Sequence, residues 1–211
     1  LFVKDIPPAS TVPNDITITE PSIYFGEESN DYVIVDTKAH EFHYSREDDT
    51  VETRYTGADG VPISSFWRKL LFSVGFQSMQ ILFSNDITPE SRVLYHRNLA
   101  DRVTTIANFL RYDDDSYMVV SGGRLFWIRD AYTVTDQYPY STPAANGINY
   151  IRNSVKVVVD AYNGTTDYYL ADPTDPLAQT LANIFPGFLK PLSDMPADLR
   201  KHLRYPETIF A

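Results

Sequence analysis

The sequence has no cysteine, which excludes disulfides, thiolate catalysis and cysteine-ligated zinc or iron–sulfur centres. That absence suits the cytosol and an exported bacterial domain equally, so the redox compartment stays open. Basic clusters are scarce too. Against 28 aspartates and glutamates stand 18 lysines and arginines, a formal net charge of −10, and the densest basic stretch is the short run Leu199 to Arg204. Such a surface repels a phosphate backbone, and nucleic acid is not expected as a partner. Long apolar runs are missing: the longest, Leu70 to Phe76, is interrupted by Ser73 and Gly75 and falls far short of a bilayer span. The chain therefore reads as a soluble segment. Its 9 glycines form no phosphate-binding fingerprint after any strand, and the pair Gly122-Gly123 belongs to a turn. The opening residues LFVKDIPP are neither an initiator methionine nor a signal peptide, so an internal stretch of a longer polypeptide is expected.

What is present points to sheet. Aromatic residues make up 14% of the chain, with 15 tyrosines and 12 phenylalanines, which favours a sheet-rich core with amphipathic rims. A 43% hydrophobic and 22% charged composition is that of a folded globular chain. At 211 residues it forms a single segment, 1–211, with any subdivision falling between 1–111 and 112–211. The organising stretch is Arg152 to Asp175. Its valine-rich first half and tyrosine-rich second half flank Asn163-Gly164, the strongest short-range hairpin signal. Two further hairpins are expected, at Tyr32 to Tyr44 and around Leu125 to Tyr132. In all three an aspartate closes the apolar run: Asp36 and Asp160 directly, Asp130 after Arg129.

Proline at positions 7, 8, 13 and 21 predicts an extended lead-in across the domain surface. Ser45 to Gly60 reads as a polar loop with a short strand at Val51 to Tyr55. Phe66, Trp67, Leu70, Leu71 and Val74 then recur at helical spacing and predict a buried face, with Arg68, Lys69 and Ser73 opposite and Gly75 as C-terminal cap. A short apolar turn follows through Met79, Leu82 and Phe83. Thr88-Pro89-Glu90 carries helix-start chemistry, and Tyr95, Leu99, Val103, Ile106 and Leu110 mark one predicted helical stripe. Tyr117 to Val120, Gly122-Gly123 and Arg124 to Val134 read as strand, turn and strand. Asp175 and Pro176 predict the start of a helix burying Leu177, Leu181, Ile184 and Phe185, and a last helix is expected over Pro196 to Leu203. Strands and helices are grouped rather than alternating, which predicts an α+β fold: a mainly antiparallel sheet built from hairpins, packed with several short to medium helices.

Candidate sites are few. His40 and His43 point to opposite faces of a strand, a poor geometry for one metal ion. His96 and His202 are expected on solvated faces. Asp113, Asp114 and Asp115 offer hard oxygen ligands for calcium but lack the alternating ligands and fixed glycine of a calcium loop. Asp36, Asp130 and Asp160 suggest a carboxylate site, although an aspartate at a strand end also bonds its own turn backbone. Asn163-Gly164-Thr165 spells a glycosylation sequon at a hairpin tip.

Long stretches resemble a known family. NYIRNSVKVVVDAYNGTTDYY (149–169) and IFPGFLKPLSDMPADLRKHLRYPE (184–207), with LFVKDIPP, SFWRKLLF (65–72), ITPESRVLYHRN (87–98) and GRLFWIRDAYT (123–133), resemble uncharacterised protein family 0182. The resemblance implies a large bacterial membrane protein with several N-terminal transmembrane helices and a large extracytoplasmic region, of which this chain is an internal part. It implies no established activity, cofactor or catalytic residue. VVVDAYNGTTDYY is also similar to the hairpin of PepSY-type modules, small exported domains thought to regulate peptidases. The expected function is a non-enzymatic extracytoplasmic module on the cell membrane, partnered by the remainder of its own membrane-embedded chain or by an envelope component. The alternative is an envelope hydrolase using paired carboxylates, which requires Asp130 or Asp160 in a cleft beside an exposed Trp127. A calcium-stabilised domain is compatible with either.

Overall fold

A computed structural model describes residues 17–46, 49–144, 146–206 and 209. Most of the proline-rich lead-in, Leu1 to Ile16, lies outside the described residues. The first half of the chain forms β1 (Tyr32–Val35), β2 (Glu41–Arg46), β3 (Asp49–Thr53), β4 (Val61–Pro62), α1 (Phe66–Gly75), α2 (Gln80–Phe83), β5 (Arg92–Tyr95) and α3 (Leu99–Ile106). The expected hairpin from Tyr32 to Tyr44 does not form. Strand β1 pairs antiparallel with β5 in a three-stranded sheet ordered β1-β5-β4, while β2 and β3 pair with each other. The cause sits at Asp36, whose φ of 56° turns the chain away, and whose carbonyl accepts the Thr88 and Ser91 hydroxyls at 3.1 and 2.8 Å.

The expected helix from Thr88 is likewise replaced. Val93 and Leu94, adjacent in sequence, are both fully buried, one on each side of β5, which a strand achieves and a surface helix does not. Helix α3 starts only at Leu99, where the Asn98 side chain accepts the Asp101 N–H at 3.1 Å. His96 is therefore in the intervening turn, with φ 49°, and not on a helix.

The second half follows local sequence chemistry closely. It forms β6 (Arg111–Ser121), β7 (Arg124–Thr135), β8 (Tyr150–Asp160), β9 (Thr166–Leu170), α4 (Pro176–Ile184), β10 (Leu189–Pro191), a 3-10 turn at Leu192–Asp194, and α5 (Ala197–Arg200). The five-stranded sheet runs β10-β9-β8-β7-β6, antiparallel except for the β10–β9 pair. Gly122 and Gly123, at φ 57° and 80°, make the tight β6–β7 turn that only positive-φ residues allow. The β8–β9 connection is longer than the expected two residues. Gly164 alone takes positive φ, 72°, and donates to the Asp160 carbonyl at 2.8 Å; a Cβ there would lie 2.6 Å from the Phe25 ring. The last helix is also shorter than the expected Pro196 to Leu203.

Both faces of this sheet are covered, which explains the near-continuous valines of β8. One face packs Val155, Val157, Val159, Ala131 and Tyr168 against Leu99, Val103 and Ala107 of the α3 region. The other packs Ile128, Val158, Tyr117 and Tyr169 against Met195 and Leu199. Tyrosine hydroxyls tie the layers: Tyr112 and Tyr168 both donate to the Val103 carbonyl, at 2.7 and 3.0 Å. Burial pushes the Tyr112 hydroxyl up to about 12 and Tyr168 higher still, so both stay protonated donors. The described part of the lead-in crosses the hairpin tips, where Tyr24 and Phe25 donate to the Ala161 carbonyl.

Helix α4 starts as expected. Asp175 is wholly buried and accepts the Leu177 N–H at 3.0 Å, the Tyr150 hydroxyl at 2.6 Å, and the hydroxyls of Ser154 and Thr133. Burial alone would raise this carboxyl, but these donors outweigh it and hold it below the usual carboxylate range. The helix buries Ala178 rather than the whole expected stripe; Ile184 and Phe185 stay exposed.

Candidate functional site

The residues that suggested a carboxylate site are not brought together. Trp127 and Asp130 are an odd number of residues apart on β7, so they point to opposite faces of the sheet. Trp127 packs against the α3 side and donates its indole N–H to the Phe25 carbonyl at 3.0 Å. Asp130 is buried mid-strand beside its cross-strand partner Lys156, with which it forms an ion pair; the ammonium also donates to the Arg204 carbonyl. Asp160 accepts the Tyr162 and Asn163 N–H groups at 2.9 and 3.0 Å and pairs with Arg124 at 2.7 Å. Only Asp160 and Asp36 sit at strand ends, and a cleft shared by Asp130, Asp160 and Trp127 is not formed.

Asp113, Asp114 and Asp115 form a bulge inside β6, where pairing with β7 shifts between Tyr112 and Ser116. Asp113 is buried and accepts the Tyr132 hydroxyl and the Asp115 N–H, while its neighbours face solvent. Among the described residues no three histidine or carboxylate side chains are placed to hold a metal ion. The His43 side chain lies outside the described residues, and His40 and His202 are exposed.

The most unusual surface lies elsewhere, on α1 and α2. Helix α1 begins at the Ser65 cap, which accepts the Arg68 N–H at 3.3 Å. Its C-terminal cap is Phe76, with Gln77 (φ 52°) and not Gly75 in the left-handed conformation. Phe72 and Phe76 face inward against Ile63, Ile81 and Val93; Phe76 stacks on Tyr32 at 4.3 Å. Ser73 is also inward, its hydroxyl donating to the Ser78 carbonyl at 2.8 Å. This orientation is the reverse of the expected one. Phe66, Trp67, Leu71 and Val74 on α1, with Met79 and Phe83 at α2, each expose 60–71% of their surface.

This face is a candidate site on two grounds. A helix apolar on nearly every side is normally covered on every side, and α1 has phenylalanines inward and Trp67, Leu71 and Val74 outward. Phe66, Trp67 and Phe83 alone expose roughly 400 Å², already the size of the largest apolar patch on a typical monomer. Scattered single hydrophobes need no explanation; this patch does.

A pocket of about 370 Å³ opens nearby between β4, β5 and α3, lined by Asp59, Val61, Tyr95, His96, Arg102 and Ile106 among others. Tyr95 lies 6.1 Å from Phe72 and so borders the underside of α1. His96 Nδ1 is hydrogen-bonded to Asp101, which also accepts the Thr105 hydroxyl at 3.4 Å. Arg102 spends its donors on the protein: on Thr166, on the Tyr95 and His96 carbonyls and on Asp59, with its guanidinium 4.5 Å from the Phe25 ring centre. Burial lowers its pKa and Asp59 opposes that shift. These contacts lock α3 to the hairpins.

Sequence reasoning missed both features. The outward face of α1 had a signal: Phe72 and Phe76 form a second apolar stripe four residues apart, opposite the first. For His96 and Asp101 the signal was hidden by the expected helix.

The family model of an uncharacterised protein family, UPF0182, matches residues 1–211. A UPF0182 protein of Moorella thermoacetica is 57% identical over 198 residues, 93% of this chain and 22% of its own length. One from Geobacter sp. strain M21 is 54% identical over 206 residues, 97% of this chain and 23% of its own. One from Pelotomaculum thermopropionicum is 50% identical over 209 residues, 99% of this chain and 23% of its own. The chain thus spans less than a quarter of the length of these relatives. No solved structure matches.

Proposed function

Since the chain belongs to uncharacterised protein family UPF0182, we propose that it is a docking module of a larger membrane protein, with no catalytic centre of its own. It acts on the extracytoplasmic side through the apolar face of α1 and α2. The partner is an envelope component or the remainder of its own membrane-embedded polypeptide. The observation that carries this reading is the exposure of Phe66, Trp67, Leu71, Val74, Met79 and Phe83 on one helical pair. Leaving that much apolar surface in water is unfavourable by about 25 cal/mol per Å², and docking recovers it. The hydrolase reading draws no support from Asp130, Asp160 and Trp127, whose polar atoms are spent on neighbouring protein groups.

The test is a paired substitution, Trp67→Asp with Leu71→Asp. Introduced into the 211-residue chain, it should leave the denaturation midpoint within the range of ordinary surface changes, about 0.5 kcal/mol. Introduced into the longer polypeptide, it should expose the region to protease or prevent stable accumulation in the membrane. Unchanged protease resistance and accumulation would refute the docking role.

A further inference from the structure

We infer that the surface seated on α1 and α2 is a lipid surface bearing anionic headgroups, an inference that rests on the docking reading above and names its partner. Three observations carry it. First, the stretch Val61 to Asn85 contains no aspartate or glutamate, and its charges are Arg68 and Lys69, in a chain whose total is −10. The apolar face is thus a place where this acidic protein approaches an anionic surface without acidic side chains of its own stretch opposing it. Second, the exposed side chains are of the interfacial type: Trp67 and Phe66 at the start of α1, then Leu71, Val74, Met79 and Phe83. Aromatic and aliphatic groups on one side, with the exposed Arg68 at their flank, fit a helix lying in the headgroup plane. Third, α1 has 10 residues, about 15 Å of helix, half of a hydrocarbon core of about 30 Å. It can lie in the interface and cannot cross it.

Arg68 is placed for headgroup phosphate. It is exposed on the flank of the stripe, with one donor held by the Pro62 carbonyl at 3.1 Å, which fixes the guanidinium while leaving other donors outward. A second copy of the chain is a poorer occupant, since a two-fold contact through this face brings the exposed Arg68 of both copies toward one seam.

The experiment places a benzophenone photo-crosslinking amino acid at Leu71 in the polypeptide as the cell makes it, in its own envelope, and identifies the adducts by mass spectrometry. Phospholipid adducts enriched in anionic headgroups are the expected result. Arg68→Glu should cut that enrichment about fivefold. Lipid adducts with the headgroup proportions of the bulk membrane would overturn the anionic-headgroup assignment and the role of Arg68. Adducts to polypeptide, its own or another, would overturn the lipid surface while leaving the docking module intact. No adduct of either kind, with Leu71→Cys open to a water-soluble maleimide in the same envelope, would overturn both.

Discussion

Helix α3 turns Leu99 and Val103, four residues apart, wholly into the core, whereas α1 turns Trp67 and Leu71, also four apart, out to solvent. Both helices have a side-chain cap at the start and comparable length. Their surroundings differ. Around α3, the Tyr112 and Tyr168 hydroxyls meet at one helix carbonyl, and Arg102 bridges to strand, turn and hairpin. Beneath α1 the described residues form a three-stranded sheet that takes Phe72, Ser73 and Phe76 and leaves Trp67, Leu71 and Val74 outside. Helical spacing marks where an apolar stripe lies; which of two stripes turns inward is decided by the shape beneath it.

Substituting the same residue type on each helix should break the symmetry most clearly. Leu99→Ala removes a fully buried side chain and should cost about 3 kcal/mol, while Leu71→Ala should stay within about 0.5 kcal/mol; denaturant titration of the chain compares them directly. Asp175→Ala should cost about as much as Leu99→Ala, roughly 3 kcal/mol, because it removes the cap of α4 and leaves three hydroxyls without their acceptor.

The same carboxylate gives a pH dependence of definite sign. Its folded pKa is depressed, so its contribution is complete above the unfolded value of about 4 and is lost as pH falls through the lower folded value. Denaturation midpoints measured from neutral to acid pH should therefore fall on acidification, and the fall should be shallower in Asp175→Asn. A midpoint independent of pH in that range would contradict the buried network.

Gly164→Ala should cost about 1–3 kcal/mol, since φ is 72° and the added Cβ meets the Phe25 ring. The smallest effect is expected from calcium. With Asp113 held by Tyr132 and the Asp115 N–H, added calcium or chelator should leave the melting temperature unmoved. An upward shift with calcium, reversed by chelator, would give the β6 bulge a metal role.

The parts of the fold legible in the sequence are those where neighbouring residues decide the outcome. Gly122-Gly123 and the Asp175-Pro176 start work within a few residues and stand where their chemistry predicted, while Gly164 takes positive φ within a longer turn than expected. The β1–β5 pairing joins Tyr32 to Tyr95, and no local signal announces such a partner; the stripe through Leu99 and Val103 led instead to a helix begun too early. Site residues obeyed the same rule. The opposite directions of Trp127 and Asp130 follow from strand alternation alone and were available in the sequence. The Asp130–Lys156 pair was not, because it depends on the β7–β8 register. The outward turn of α1 depends on the extent of the sheet below it, a property of assembly rather than of any window of sequence.

The most direct test of the central claim is hydroxyl-radical footprinting of Trp67, Met79 and Phe83 in two forms, the 211-residue chain and the larger membrane polypeptide proposed above to contain it. Rapid oxidation of all three in the chain and strong protection in the membrane-bound polypeptide, with Leu99 protected in both, is the predicted result. Equal oxidation of Trp67, Met79 and Phe83 in both forms would contradict it, because nothing would then cover the face that α1 and α2 present.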